Sequence, residues 1–154
     1  MKADVIHWLN RLLAIHCRSF PQYMRWARPH VPAGRGQELE AVDAIALDQD
    51  IMAERISRMI IDADALPRTG EFPMEFTDLH DLDIDYVILT AVRYQEQDVA
   101  MIEQLVHRLQ SFAAARSLAE EALGMSKGHL DTLRETALAA TTRQGSGVGV
   151  QGSE

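Results

Sequence analysis

Between Glu38 and Ala63 the apolar side chains recur every third or fourth position, as Val42, Ile45, Met52, Ile56 and Met59, with Gln49 in the same row. Steps of three and four set side chains on one face of an α-helix. A row this long must be buried against other helices, and the expected strand content is near zero. The expected class is therefore all-α.

Three more rows repeat the pattern. The first spans roughly Asp4 to Ala27 and reads Leu9, Leu12, Leu13, His16, Phe20, Tyr23 and Ala27. Pro21 lies inside it. A proline in a helix removes one hydrogen bond and crowds the carbonyl four residues back. Because the row continues in phase, a kink is expected there and not an end. The third helix is expected from Asp81 or Leu82 to Leu109, with Ile88, Val92, Gln95, Val99, Ile102 and Val106 along its stripe. The fourth is expected from Phe112 to about Leu138, with Ser111 as its N-cap. Its stripe runs Ala115, Leu118, Ala122, Met125, His129 and then Thr132 or Leu133. Each row carries a polar residue near its middle.

The connections differ in kind. Pro29, Pro32, Gly34 and Gly36 mark a first loop, and Leu66-Pro67 closes the second helix. Residues 68–81 read as irregular. A bundle helix of about 27 residues is roughly 40 Å long, and this connection, extended, reaches roughly 46–50 Å. It can cross the whole bundle, so the second and third helices are expected to run parallel. After Ala140 the chain turns Gly-rich, and 141–154 is expected as a flexible tail on a bundle domain of 1–140.

Composition narrows the function classes. The chain has 154 residues, 47% of them hydrophobic, which suits one domain with a real core. A formal charge of −8 argues against a nucleic-acid backbone as partner. No membrane span and no signal-peptide pattern is visible. The single cysteine, Cys17, excludes an internal disulfide. A cytoplasmic location is expected. His7, His30, His80 and His107 share no face and read as surface residues. The acidic residues from Glu71 to Asp85 read as a solvated edge.

Several short motifs resemble one family. Leu9-Asn10-x-x-Leu13 followed by Tyr23, then Ala53-Glu54-Arg55 with Leu66-Pro67, then Gly128-His129-Leu130-Asp131-x-Leu133 are similar to the bacterioferritin branch of the ferritin-like proteins, over about residues 5–138. The resemblance implies a four-helix bundle with a long crossover between helices 2 and 3. Such bundles build a two-iron site from a Glu on each of two helices and a Glu-x-x-His pair on each of the other two. Carried over residue by residue, those six positions fall on His16, on Gln49 and Met52, on Gln95, and on Ser126 and His129. Glu96 takes the place of Gln95 if the register slips by one.

Only His129 keeps the family's residue type. Two Fe(II) ions bring four positive charges into a buried site, and carboxylates neutralise and bridge them. Gln, Ser and Met cannot, so ferroxidase chemistry is expected to be absent or weak. The family's haem-ligating Met falls on Asp50, so haem is not expected. Three readings of the six positions stay open. They form a hydrogen-bonded network in place of a metal, as in a structural or assembly subunit. They hold a single transition metal through His16 and His129, with Met52 as a soft third ligand. Or iron is held by a shifted set that recruits Asp48, Asp50 or Glu96, or is stored at acidic surface sites. The resemblance also implies a homo-oligomer: a dimer, with the cage left in doubt by the Gly-rich tail, or a partner beside a catalytic ferritin-like subunit.

Overall fold

The computed structural model describes residues 2–79 and 83–152, with side chains through residue 142. Every regular element among the described residues is helical: α1 (Ala3–Cys17), α2 (Phe20–Tyr23), α3 (Gln37–Asp62), α4 (Ile84–Arg108) and α5 (Ala113–Gly152), with a 3-10 turn at Met74–Leu79. Among them no helix is long and apolar enough to cross a membrane.

The first helix does not kink through Pro21; it ends. α1 stops at Cys17, and Arg18 leaves the helical region with φ −123°. The chain restarts as α2, where the Ser19 hydroxyl accepts from the Gln22 amide at 3.3 Å and Pro21 sits in the first turn. A proline in the first turn loses nothing, because amides there have no carbonyl to bond. A helix continued through residue 21 would lose a bond and crowd the Cys17 carbonyl. Breaking at Arg18 avoids both.

α3 begins one residue before the expected Glu38 and ends at Asp62. Asp64 adopts φ 58°, and the amides of Ala65 and Asp64 bond back to the carbonyls of Ile60 and Ile61. This left-handed closure satisfies the last carbonyls of the helix. The start expected for the next helix at Asp81 or Leu82 lies outside the described residues. Asp83 is the observed N-cap of α4, accepting from the Asp85 amide. For α5 the expected cap is one residue early. Phe112, not Ser111, supplies the first helical carbonyl, to the Arg116 amide at 2.8 Å. The backbone of α5 continues as helix past the composition change at 140 to Gly152.

Four long helices pack side by side, and the order of their contacts gives their directions. Ser19 meets Gln49 while Arg28 meets Asp43, so α3 runs back along α1–α2. Arg55 meets Glu121 and Asp48 meets His129, so α5 opposes α3. Glu103 meets Lys127 and Glu96 meets Arg134, so α5 opposes α4 as well. It follows that α3 and α4 point the same way.

The connection between them is strapped to α1. Asn10 accepts from the Arg68 amide at 2.6 Å, and Arg18 donates to the carbonyl of Gly70 at 2.9 Å. Gly70 has φ +69°, and a β-carbon there would stand 3.3 Å from that of Ala14. The position needs glycine on both counts. Farther on, Phe76 packs edge-on against Tyr94 with ring centres 4.9 Å apart, and Tyr94 stacks with Phe20.

The core falls into two apolar clusters. One joins Leu9, Leu12, Leu13, Ile56, Ile102 and Leu118; the other joins Phe20, Val42, Phe76, Ile88, Tyr94 and Leu133. Leu13 and Leu133 are both fully buried, one in each cluster. Truncating a buried Leu to Ala costs about 2–5 kcal/mol. Leu13→Ala and Leu133→Ala should each lower unfolding stability by that order in urea denaturation, and the double variant should lose nearly the sum, since the two share no cluster.

Candidate functional site

Between the two clusters lies a layer of polar residues. His16, Ser19, Gln22, Gln49, Gln95 and Ser126 are all buried, at 1–7% exposure. Four of these are positions to which the sequence assigned ligands, and Met52 lies beside them at 4% exposure. Helix periodicity explains the coincidence. On each helix the polar residue occupies a core-facing position between two apolar turns, so packing the rows together stacks the polar positions at one level.

The glutamines are held in two different ways. Gln49 accepts from the Ser19 hydroxyl at 2.7 Å. Gln95 donates its amide to the backbone carbonyl of Ser126 at 3.0 Å, while its side-chain oxygen, fully buried, has no hydrogen-bond partner among the described residues. Gln22 donates to the Ala46 carbonyl at 2.9 Å and to Asp50 at 3.0 Å. Glu96, the neighbour of Gln95, is exposed and paired with Arg134.

The histidines are not joined to the glutamines. His16 Nδ1 lies 2.8 Å from the Leu12 carbonyl oxygen. A carbonyl only accepts, so Nδ1 carries the hydrogen and Nε2 carries the lone pair. His129 Nε2 lies 2.8 Å from an Asp48 carboxylate oxygen, so Nε2 carries a hydrogen, and in the neutral ring the lone pair is on Nδ1. His16 Nε2 and His129 Nδ1 are both fully buried and have no hydrogen-bond partner among the described residues. The rings are close enough for a charge on His129 to disfavour one on His16. Of the network from His to Gln to Ser, the described residues form the Gln–Ser bonds, Ser19 to Gln49 and Gln95 to the Ser126 carbonyl, with no direct bond from either histidine to a glutamine.

Three buried acceptors without donors in one layer are unusual. Each unsatisfied group costs about 1–3 kcal/mol. The arrangement matches the way proteins prepare an imidazole for a metal: one nitrogen anchored on a carbonyl or carboxylate, the other presenting its lone pair. Among the described residues no three or more His, Cys, Asp or Glu side chains converge. Of the acids suggested as recruits, Asp48 supports His129, Asp50 pairs with Arg25 at 2.8 Å and Glu96 faces solvent. Asp48 and Asp50 reach the layer only through His129 Nε2 and the Gln22 amide, and among the described residues no carboxylate meets His16 Nε2 or His129 Nδ1.

Three residues here, Ser19, Gln22 and Asp98, were not singled out from the sequence. Ser19 holds Gln49, and its signal is the Ser-x-Pro pattern of a helix start at 19–21. Asp98 lies one turn along α4 from Gln95. Cys17 packs at the edge of one apolar cluster, and burial pushes its thiol above the ordinary range. His7, His30 and His107 are exposed, and His80 lies outside the described residues.

No family model matches the chain, and no curated protein matches it.

Burial pulls His16 below its ordinary value of 6.5; the Leu12 carbonyl opposes this, and His129 adds to it. A base whose pKa is lowered by folding is protonated first in the unfolded chain. The stability it contributes is complete above pH 6.5 and is lost as pH falls toward the folded value. For one such group the loss between pH 7.5 and 5.5 reaches at most about 1.4 kcal/mol. Urea midpoints at the two pH values should differ by less in His16→Gln than in the unaltered protein.

Proposed function

We propose that this chain is a ferritin-like four-helix bundle of the bacterioferritin type whose central polar layer binds a single soft metal ion in place of a two-iron oxidase centre. The helix order and directions support the fold, since two antiparallel pairs are joined by a long connection between parallel helices. The metal assignment rests on one observation: the buried lone pairs of His16 Nε2 and His129 Nδ1, each with its opposite nitrogen anchored.

The donor chemistry selects the ion. His16, His129, the Gln95 oxygen and Met52 are all uncharged. Burying an ion with neutral donors costs least when its charge is lowest. Thioether and imidazole favour monovalent copper, with zinc next, and disfavour paired irons, whose four charges need carboxylates. Bound there, the ion supplies one positive charge to lone pairs the protein leaves unmatched. The chain's own residues hold and orient the two imidazoles and keep water from them with the apolar clusters on either side. The reading makes the protein a cytoplasmic metal-binding member of the family without ferroxidase activity.

A second reading, as a structural or assembly subunit, draws on the outer face of α3. Leu47 and Ile51 stand one turn apart there at 60% and 63% exposure. Two apolar residues at helical spacing on a bundle flank suit a homodimer. Light scattering after size-exclusion chromatography tests it; a monomer that stays monomeric at high concentration removes it.

For the metal, competition against a chromogenic cuprous chelator should show one equivalent per chain in the unaltered protein. His16→Ala and His129→Ala should each lose it while circular dichroism reports an intact helical fold. Asp48→Asn, which alters only the support of His129, should weaken binding about 10–100-fold. Stoichiometric copper surviving both alanine variants, or rapid oxygen uptake on adding ferrous salt, would sink the reading.

A further inference from the structure

A cleft of about 660 Å³ opens between α1 and α4 on the side away from α3 and α5 contacts of the core layer, with the α3–α4 connection closing one end. Its volume is in the range that holds a small molecule. Ile15 from α1, Tyr94 and Leu105 from α4 and Phe76 from the connection make apolar walls. Asp98 lines the same space from the middle of α4. The Asp98 carboxyl forms no hydrogen bond or ion pair with any described residue.

That carboxyl is the unexplained group. Burial pushes it up from 3.8 to about 7, and burial is the sole cause. The charged groups around it do not offset this. Arg11 and Arg18 come from α1, Arg108 from α4 and Glu71 and Glu75 from the connection. Arg18 is committed to the Gly70 carbonyl and the Thr69 hydroxyl and lies over the Phe72 ring. Arg108 lies over the Trp8 ring. None of the three guanidinium groups forms an ion pair with Asp98 among the described residues.

We propose that this cleft binds a small organic amine, with its ammonium group on the Asp98 carboxylate and its hydrocarbon body between Ile15, Phe76 and Tyr94. An ammonium group supplies the cation that Asp98 lacks. The aromatic faces add to its attraction, because ring quadrupoles favour cations. A chain carrying −8 draws cations toward it and repels acids. An acidic ligand would instead meet an unpaired carboxyl in the floor of the cleft. This assignment is independent of the metal reading, for Asp98 takes no part in holding His16 or His129.

Phenethylamine and 1,5-diaminopentane, titrated calorimetrically into the full chain, are the probes. Asp98 must be ionised to pair, and both amines stay charged between pH 6 and 8. Affinity should therefore weaken about tenfold from pH 8 to pH 6. Asp98→Asn, which keeps the shape and removes the charge, should abolish binding with copper stoichiometry unchanged. Met101→Trp, which fills the cleft from its rim, should abolish it too. Phenethylamine that binds equally well to Asp98→Asn overturns the proposal. So does failure of both amines to bind at millimolar concentration. Tighter binding of phenylpropionate, lost in Arg11→Gln, would overturn it in favour of an acid site.

Discussion

Two buried imidazole nitrogens that face no donor set the terms for the rest of this protein. His16 and His129 stand in a polar layer across the bundle, with one nitrogen of each ring fixed by Leu12 or Asp48. An apolar cluster lies on each side of that layer. The clusters supply the burial that holds four helices together, since apolar area removed from water is the main favourable term. The same burial excludes water from the layer and lowers His16. Stability and chemistry therefore pull against each other at one level of the core. Natural sequences break local packing rules at functional positions, and this layer is where the present sequence breaks them.

The break at Arg18 belongs to the same economy of space. An unbroken first helix would carry residue 19 around the helical surface with its neighbours. Ending α1 at Cys17 and restarting α2 lets Ser19 cap the Gln22 amide and still reach Gln49 at 2.7 Å. Pro21 is what makes the restart cheaper than a kink. A residue whose local effect is a broken helix thus completes one side of the polar layer.

The connection between α3 and α4 is more than a tether. Gly70 lets the backbone pass close to Ala14, Arg18 grips its carbonyl, and Phe72 and Phe76 join Phe20, Tyr23 and Tyr94 in one aromatic group. Phe20, Phe76 and Tyr94 of that group also line the Asp98 cleft. Asp98 sits one helical turn from Gln95, yet the two face different surroundings: Gln95 the core layer, Asp98 the groove between α1 and α4.

Periodicity alone determined much of this protein. Rows at three-four spacing decide that the chain is helical, which face of each helix is buried, and that Gln49 and Gln95 lie on those faces, because the α-helix repeats at 3.6 residues whatever surrounds it. The same rows do not mark where a helix stops. The ends at Cys17 and Asp62, and the start after Phe112, depend on which backbone groups find partners, and those partners come from turns and neighbouring helices. Nor does any row say which nitrogen of His16 or His129 carries a hydrogen. That was decided by a carbonyl four residues back in one case and by Asp48, on another helix, in the other. Asp98 reads in sequence as one more acid on an acidic helix. Only the packing of α1 and the connection against α4 partly buries it, and a carboxyl's character follows from the solvent it loses.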